Sequence, residues 1–508
     1  MTNSLLILTL LPLLGALLIL FVPKGSNGAV RGIAFLATLL PLILALILWS
    51  QYDTTATGMQ FTSSFDWIHI PHAYADQSGD HTLTVSLLMG VDGLSLPIVI
   101  LTAVISFLAV IASWKIEYRI KSYFFWYLLL ITGLFGVFTS LDAFAFFFFL
   151  ELTLVPVYFL INIWGGERRQ HTATKFVVYR AIASIGILIS FIGLAYMAAI
   201  GGTGEISTNF VTIGTVLKTA ANVPLALKYG LFMILFIAVL IEEAFFPFHT
   251  WLPDTHASAN PALSMVIGGV LMKIGAYVLI RIGVGILPDA LAHYATLIAV
   301  LGVINILYGA LVAMVQKDWK RLVAFSTISH MGIVLLGIAA HNSAGIQGAI
   351  FMIVSSGLLS GLLFFVLGAV QDRTQTTQIH ELGGLSKSMP ILSGVWLAAS
   401  LGSLGLPGMS GFISEITSFI GGFAIFPVLS AFGTLGLILA AVYLLWAMQR
   451  TTFGPSRGIW QGLDDVRAIE YIPIFVFLAC IILIGVYPAV LGDVVNQTVQ
   501  TFVTRIGG

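Results

Sequence analysis

Eight ionisable side chains lie within or at the ends of long apolar stretches of this 508-residue sequence. They are Glu151, Lys175, Arg180, Glu242, Glu243, Lys273, His330 and Glu415. A charge inside a membrane-spanning segment is costly, so such residues usually face the interior of a helix bundle and mark an ion or proton pathway. Carboxylate, amine and imidazole groups placed in series can pass a proton from one to the next. The series therefore predicts a proton relay.

For any single residue of this series, a structural ion pair that fixes helix packing is the alternative interpretation. Lys175 begins its apolar stretch, where a long side chain can extend to the membrane surface. His249 and His256 flank the nearby prolines and lack a third ligand, so no metal site is predicted. The spread of the whole series over several segments favours the relay.

The composition indicates an all-α polytopic membrane protein, because 58% of the residues are hydrophobic and only 9% are charged. Many apolar runs approach the ~20 residues that a helix needs to cross a bilayer. A net charge of zero gives no indication of nucleic-acid binding. The single Cys480 excludes a disulfide or a cysteine-ligated cluster within the chain, and no nucleotide-binding loop occurs. We therefore expect no cofactor site in this chain.

The apolar runs predict about fourteen membrane spans. They lie near residues 4–22, 31–50, 92–114, 122–140, 143–164, 174–199, 229–248, 261–282, 290–315, 322–340, 344–370, 391–424, 429–449 and 471–491. The N-terminal stretch lacks the basic segment of a cleaved signal peptide and is expected to remain as the first span. Most lysines and arginines fall in alternate loops, which by the positive-inside rule places both termini outside.

Two spans are interrupted, the seventh at "FFPFHTWLP" and the twelfth at "SLGLPGMSGF". Each break lies in the fourth span of a five-span block, spans 4–8 and 9–13. Because five is odd, tandem blocks have opposite topology, and paired broken helices point to an ion pathway between inverted repeats. The predicted units are spans 1–3 with an outer loop 51–91 (1–121), a first five-helix unit (122–282), a second (290–449), and an inner loop with span 14 (450–508).

Several motifs together carry a resemblance that covers nearly the whole chain. They are "GVDGLSL" (90–96), "FFFLELTLVPVYFLINIWGG" (147–166), "FPFHTWLPDTH" (246–256), "GVLMKIGAYVLIR" (269–281), "DWKRLVAFSTISHMG" (318–332), "ELGGL" (381–385) and "LPGMSGFISE" (406–415). The sequence resembles the antiporter-like membrane subunits of bacterial respiratory complex I, NADH–quinone oxidoreductase. Glu415, where the related chains L and N have lysine, and the lack of a long lateral helix after the fourteenth span favour the middle subunit, chain M.

The resemblance implies that protons enter from the inside through a half-channel in the first unit, cross a central polar axis and leave through the second. Glu151, Lys273, His330 and Glu415 match the family's relay positions. The resemblance further implies that quinone reduction elsewhere in the complex drives transport, with flavin, iron–sulfur clusters and quinone in other subunits. The implied partners are chains L and N, the lateral helix of chain L, and lipids. The implied location is a bacterial inner membrane rather than an organellar one.

Three positions depart from the family pattern. Glu242 stands where the family has lysine, Arg180 where it has a small neutral residue, and Ser356 where it often has histidine. Our hypothesis is that Arg180 supplies the lost positive partner. Since adjacent helical residues point about 100° apart, one of Glu242 and Glu243 would face Arg180 and the other the central water chain or a neighbouring subunit. Alternatively, the alignment slips locally and the pair caps a helix near the inner surface.

Two related functions remain as alternatives at this stage. One is a subunit of a multisubunit cation/proton (Na⁺/H⁺) antiporter, and the other is a subunit of a membrane-bound hydrogenase-type complex. The glutamate pair also raises the possibility of a cation other than a proton, because hard cations favour carboxylate oxygens. The context of Glu415 favours the complex I subunit.

Overall fold

The computed structural model describes residues 3–76, 79–203, 206–220, 222–455, 458–460 and 462–506. In the first half the elements are α1 (Ser4–Phe21), α2 (Asn27–Ser50), β1 (Gln60–Asp76), β2 (Gly79–Val91), α3 (Ser95–Ala112), α4 (Ile120–Thr139), α5 (Ala143–Trp164), α6 (Arg169–Ala198), α7 (Phe210–Thr219), α8 (Leu225–Glu242), α9 (Trp251–Ser258), α10 (Pro261–Gly269) and α11 (Ile274–Val278). In the second half they are α12 (Pro288–Met314), α13 (Trp319–Ala339), α14 (Ser343–Thr374), α15 (Leu385–Ser388), α16 (Pro390–Ser403), α17 (Ser410–Ile425), α18 (Pro427–Thr451), α19 (Tyr471–Val486) and α20 (Ala489–Ile506).

Thirteen helical segments in the described part of the chain are long and apolar enough to cross a membrane. They correspond in order to the predicted spans, except that the twelfth span forms two shorter apolar helices, α16 and α17. The prediction of an all-α polytopic membrane protein with about fourteen spans is therefore confirmed. The placement of both termini outside and the inverted relation of the two five-helix units remain predictions.

Both predicted interruptions are present in the structure. The helix α8 ends at Glu242, the backbone of Ala244 has a φ of 55°, and helical structure resumes only at α9. In the twelfth span, Gly405 (φ 72°) and Gly408 (φ 90°) separate α16 from α17. Glycine tolerates this left-handed backbone, and a proline inside a helix removes a backbone donor, so each sequence ends its helix within the span.

The eighth span, predicted near 261–282, is present at Pro261–Val284, but it is not a regular α-helix along its whole length. After α10 the backbone forms a 3₁₀ turn at Leu271–Lys273, then the short helix α11, and then a π-helical segment at Leu279–Val284. At this irregular stretch the carboxylate of Glu243, the residue that follows α8, accepts the backbone N–H of Ala276 at 2.8 Å. Lys273 therefore lies at the junction of three kinds of helix.

The region 51–91, expected to be an outer loop, forms an antiparallel hairpin of β1 and β2. We call the end of the bundle that carries it the hairpin end. Four helices of the described residues lie outside the predicted spans, namely α7, α9, α15 and α20. The helix α20 lies across the hairpin end, where Thr498 accepts the N–H of Gly93 at 2.9 Å and Arg505 donates to the carbonyl of Gly285 at 2.5 Å. Its one-sided apolar face gives a weaker sequence signal than a membrane span does.

Close helix contacts depend on glycine at a few positions. Gly302 of α12 faces Gly332 of α13, and a Cβ on Gly332 would lie 2.6 Å from the carbonyl oxygen of Gly302. Small residues at such crossings let two backbones approach closely in a membrane. The contact fixes the position of α13, which carries His330 two residues before Gly332.

Candidate proton-transfer site

The first element of the candidate site is a buried ion pair between Arg180 of α6 and Glu242 at the end of α8. Their side chains are 3% and 1% exposed, and the pair joins Nη1 of Arg180 to Oε1 of Glu242. The guanidinium also lies over the ring of Phe176, 5.8 Å from its centroid. The hypothesis left open which of the two glutamates faces Arg180, and in the structure it is Glu242. Glu242 is the last residue of α8, and the break follows directly.

Glu243 points away from this pair, as expected for the next residue of a helix. Its Oε1 accepts the N–H of Ala276 near the start of α11. The first N–H groups of a helix lack intrahelical partners, and the helix dipole favours a negative charge there. Glu243 also interacts electrostatically with Lys273, which directly precedes α11. Of the two glutamates, Glu243 alone contacts the start of a helix, whereas Glu242 pairs with Arg180.

Lys273 extends from the eighth span toward α13. Its side chain is fully buried, and Nζ donates to the sulfur of Met331 at 3.1 Å. The hydroxyl of Ser356, on α14, lies 4.0 Å from the same sulfur. Within the described part of the chain, Met331 thus stands between a buried amine and a buried hydroxyl.

His330 and Glu415 continue the series into the second unit. The Nε2 atom of His330 lies 3.1 Å from the carbonyl oxygen of Ser403, the last residue of α16. The Glu415 carboxylate lies against the backbone of Gly405, so that any side chain at Gly405 would overlap Oε2. Both side chains are 5% exposed. His330 and Glu415 therefore both contact the break in the twelfth span, His330 at Ser403 and Glu415 at Gly405.

Tyr443 of α18 links this region to α13. The Tyr443 hydroxyl donates to Ser326 at 2.8 Å, and the ring interacts electrostatically with Glu415. These groups extend the polar series beyond the acids, amines and imidazole predicted from the sequence. A tyrosine in an apolar run is usually a packing residue, so its residue type and position provide no reason to select it.

Two predicted site residues lie differently. Glu151 is half-buried on α5 and interacts electrostatically with Glu242. Lys175 is not brought to the buried series: Nζ is 2.8 Å from a carboxylate oxygen of Asp254, whose other oxygen is 2.7 Å from Arg321. This group joins α6, α9 and α13 and is partly exposed. The partly exposed position of Lys175 agrees with the expectation that its side chain extends to the membrane surface.

Polar residues near the seventh-span break were also missed. The side chain of Asn305, in α12, accepts the N–H of Phe246 at 2.8 Å, and the hydroxyl of Tyr308 is 3.0 Å from Nε2 of His249. Asn305 is fully buried. An asparagine inside the apolar run "GVINILYG" was a usable signal, because a buried amide needs partners.

A second buried ion pair lies at the hairpin end. Asp92, just before α3, accepts two hydrogen bonds from Arg281, at 2.5 and 2.7 Å. Burial alone would raise the pKa of Asp92, but the charge of Arg281 and its hydrogen bonds hold that pKa below its ordinary value. The pair joins α3 to the π-helical end of the eighth span and is separate from the series that ends at Glu415.

Within the described residues, no three His, Cys, Asp or Glu side chains come close enough together to hold a metal ion. The arrangement is instead a series of ionisable side chains, all of them buried except the half-buried Glu151. It runs through Glu151, Arg180, Glu242, Glu243, Lys273, His330 and Glu415. Its members lie on α5, α6, α8, the eighth span, α13 and α17. Chemically, such a series can hold and transfer protons between neighbouring carboxylate, amine and imidazole groups.

The sequence matches a known family over more than half of its length. Residues 140–439 match the family described as NADH:quinone oxidoreductase/Mrp antiporter, TM. The protein named NAD(P)H-quinone oxidoreductase chain 4 1 from Synechococcus elongatus is 39% identical over 507 residues, covering 98% of this chain and 91% of the relative. One named NAD(P)H-quinone oxidoreductase chain 4 2 from Thermosynechococcus vestitus is 38% identical, covering 99% and 92%.

The fold is likewise similar to solved structures. A chain of respiratory complex I from Thermus thermophilus superposes with a TM-score of 0.85 at 26% identity, covering 99% of this chain and all of that one. A chain of an archaeal membrane-bound sulfane sulfur reductase reaches a TM-score of 0.83 at 21% identity, covering 100% of this chain and 99% of that one, which shows a shared fold alone. The protein therefore belongs to the NADH:quinone oxidoreductase/Mrp antiporter family, as an antiporter-like membrane subunit of the kind named chain 4.

Proposed function

We propose that this chain is a proton-translocating membrane-arm subunit of a complex I-type NAD(P)H–quinone oxidoreductase. The observation that carries the proposal is the buried series from the Arg180–Glu242 pair to Glu415, which links the two broken spans. Isolated buried charges are costly in a membrane, and a series of them on six helical segments is typical of a proton pathway.

The proposed direction of transfer follows the positions of the two breaks. Protons would be taken up through the first unit beside the seventh-span break, where Glu242 and Glu243 lie. They would pass Lys273 and His330 and be released through the second unit beside Glu415. The inverted relation of the units would place uptake and release on opposite membrane faces, as alternating half-channels require.

The Arg180–Glu242 pair gives the first unit a different chemistry from a lysine-based one. A guanidinium stays protonated in proteins, so Arg180 can stabilise charge but does not release a proton. The exchangeable protons of this unit would then belong to Glu242, Glu243 and Lys273. The permanent charge of Arg180 also makes the Arg180–Glu242 pair a poor site for Na⁺, because Arg180 already neutralises the carboxylate of Glu242.

The expected partners and location follow from the family. The chain would assemble with other membrane subunits of the complex, with chains L and N as neighbours and the lateral helix of chain L along one side. Flavin, iron–sulfur clusters and quinone would reside in other subunits, and redox energy would reach this chain through the assembly. The location would be an energy-transducing membrane, which we propose to be the bacterial inner membrane.

Proton translocation per electron is the measurement that tests this function. The complex would be purified, reconstituted into vesicles and supplied with an electron donor and quinone. We expect Glu242→Gln and Glu243→Gln each to lower the number of protons moved per electron while the complex stays assembled. Glu117→Gln, at an exposed position between α3 and α4, is the matched control and should leave the ratio unchanged.

Unchanged ratios in both variants, in an assembled complex, would mean that the glutamates are structural and would contradict the proposal. Sodium uptake in the same vesicles separates the antiporter alternative. Electron-driven Na⁺ movement that persists when a protonophore collapses the proton gradient would support cation transport instead. Co-purification without quinone-reducing subunits would likewise favour the antiporter.

A further inference from the structure

The series contains one link that cannot carry a proton. In the described part of the chain, the hydrogen-bond acceptor of Lys273 Nζ is the sulfur of Met331, at 3.1 Å. A thioether is a weak acceptor, and it does not take up a proton at any physiological pH. A proton on Lys273 therefore cannot pass through this contact.

Other polar groups lie near the sulfur of Met331. The Ser356 hydroxyl is 4.0 Å from it, and one helical turn away along the same two helices Thr327 and Ser360 form a hydroxyl pair at 3.2 Å. His330 directly precedes Met331 on α13 and interacts electrostatically with Lys273. Met331 thus contacts Lys273, in the first unit, and a polar group of the second.

The side chain is suited to moving aside. Methionine is unbranched and has three rotatable bonds, so it changes conformation at low cost even in a packed interior. A buried ammonium with only a sulfur acceptor is poorly satisfied, which favours replacement of the sulfur by water when space opens. In the arrangement described, Met331 is fully buried and closes the link.

We propose that Met331 is a gate between the two units of the pump, a role that rests on the function proposed above. With the thioether against Lys273, the link is closed. When the thioether swings away, water joins Nζ of Lys273 to the imidazole of His330. One proton then leaves the ammonium, which becomes a neutral amine, and the imidazole becomes an imidazolium. Closing the gate again prevents the proton from returning.

The competing interpretation is that Met331 only fills space, which is a common role of methionine in a core. The two interpretations differ in the resting protein. A space-filling residue can be shortened without opening a route for protons, whereas shortening a gate leaves the link open when no electrons flow. Proton leak through the idle complex is therefore the decisive readout.

The experiment uses the whole complex reconstituted into vesicles, with a pH difference imposed and no electron donor present. We expect Met331→Ala to raise the passive proton leak several-fold and to lower the protons moved per electron. Met331→Leu keeps a similar apolar volume at the link and should leave the leak unchanged. Met265→Ala is the matched control, because Met265 is also fully buried, lies in α10 and packs in the apolar core.

A leak in Met331→Ala no larger than that of Met265→Ala would overturn the gate. If the alanine variant fails to assemble, Met331→Cys makes a smaller cavity and is judged by the same comparison of leak rates. Lys273→Ala, measured alongside, keeps the two proposals apart. Loss of pumping in Lys273→Ala without a leak in the Met331 variants rejects the gate alone, whereas normal pumping in Lys273→Ala rejects the proton pathway itself.

Discussion

The Arg180–Glu242 pair places two opposite charges in contact where water has little access. Removing one partner of such a pair leaves the other charge buried without compensation, whereas removing both leaves only a change of shape. The charge of Glu151 acts on Glu242 from α5 and makes the loss of Arg180 worse. Stability and transport can therefore be separated by comparing single and double variants at this one site.

We expect Arg180→Leu to destabilise the protein by about 3–5 kcal/mol, the typical cost of breaking a buried ion pair. The double variant Arg180→Leu with Glu242→Leu should recover most of that loss but still pump poorly, because the carboxylate is gone. Thermal unfolding of the purified complex measures the first effect and protons per electron the second. A double variant as unstable as Arg180→Leu alone would show that the pair itself is not the cause.

Glu243 shows how far residue type alone can predict a site. Its position in an apolar run identified it as unusual, but its partner is a backbone N–H of Ala276, 33 residues later in the sequence. The contact lies where the eighth span leaves α-helical geometry. Composition and spacing cannot report such a contact, since it depends on how two broken segments meet in space.

At the scale of elements, the twelfth span depends on how closely its two halves meet. Gly411, near the start of α17, faces the carbonyl of Gly402 near the end of α16, and a side chain there would overlap that oxygen. The contact holds Glu415 one turn further along α17 against the break. A displaced α17 would move the carboxylate away from Gly405.

We therefore expect Gly411→Ala to lower both the unfolding temperature and the number of protons moved per electron. Gly394→Ala, in α16, is the control, because a Cβ at Gly394 meets nothing within 4 Å. Alanine is favoured over glycine in a helix interior by roughly 0.5–1 kcal/mol, so the control should be neutral or slightly stabilising. Equal behaviour of the two variants would show that the half-helix contact does not position Glu415.

Prediction from sequence succeeded for elements where one physical signal dominates. Long apolar runs gave the spans, and proline with glycine gave both breaks. It failed where the cause lies outside the segment. The 3₁₀ and π turns around Lys273 lie where Glu243, the residue after α8, contacts the eighth span. The hairpin β1–β2 was expected to be a loop, and α20 is half apolar along its length. Each of these needs a partner surface that the local sequence does not contain.

At the scale of the whole molecule, the hairpin end ties distant parts of the chain together. Asp92 and Arg281 join α3 to the eighth span, and α20 binds both neighbourhoods through Gly93 and Gly285. These contacts connect the N-terminal helices, the first unit and the C-terminal helix. The Asp92–Arg281 pair should therefore affect unfolding of the entire bundle.

The pH dependence of this contribution has a definite sign. The pKa of Asp92 is lowered in the folded protein, so its stabilising effect is complete above the ordinary value of about 3.9 and is lost as pH falls through the lower folded value. We expect Asp92→Asn to unfold at a lower temperature than wild type at pH 7. The difference should shrink below about pH 3.9, as thermal unfolding in detergent between pH 7 and pH 3 would show. A difference that stays constant over that range would contradict the assignment.

Lys273 and His330 lie near the midpoints of their candidate spans. In the proposed pathway, the transfer of a proton between these two groups would therefore be largely parallel to the plane of the bilayer. A charge moved in that plane does almost no electrical work, whereas crossing the full thickness costs about 2.3 kcal/mol per charge at 100 mV. The membrane voltage should therefore act mainly on the proton-transfer steps that connect Glu242 and Glu415 to the two membrane surfaces. Transfer past Met331 would be nearly independent of voltage.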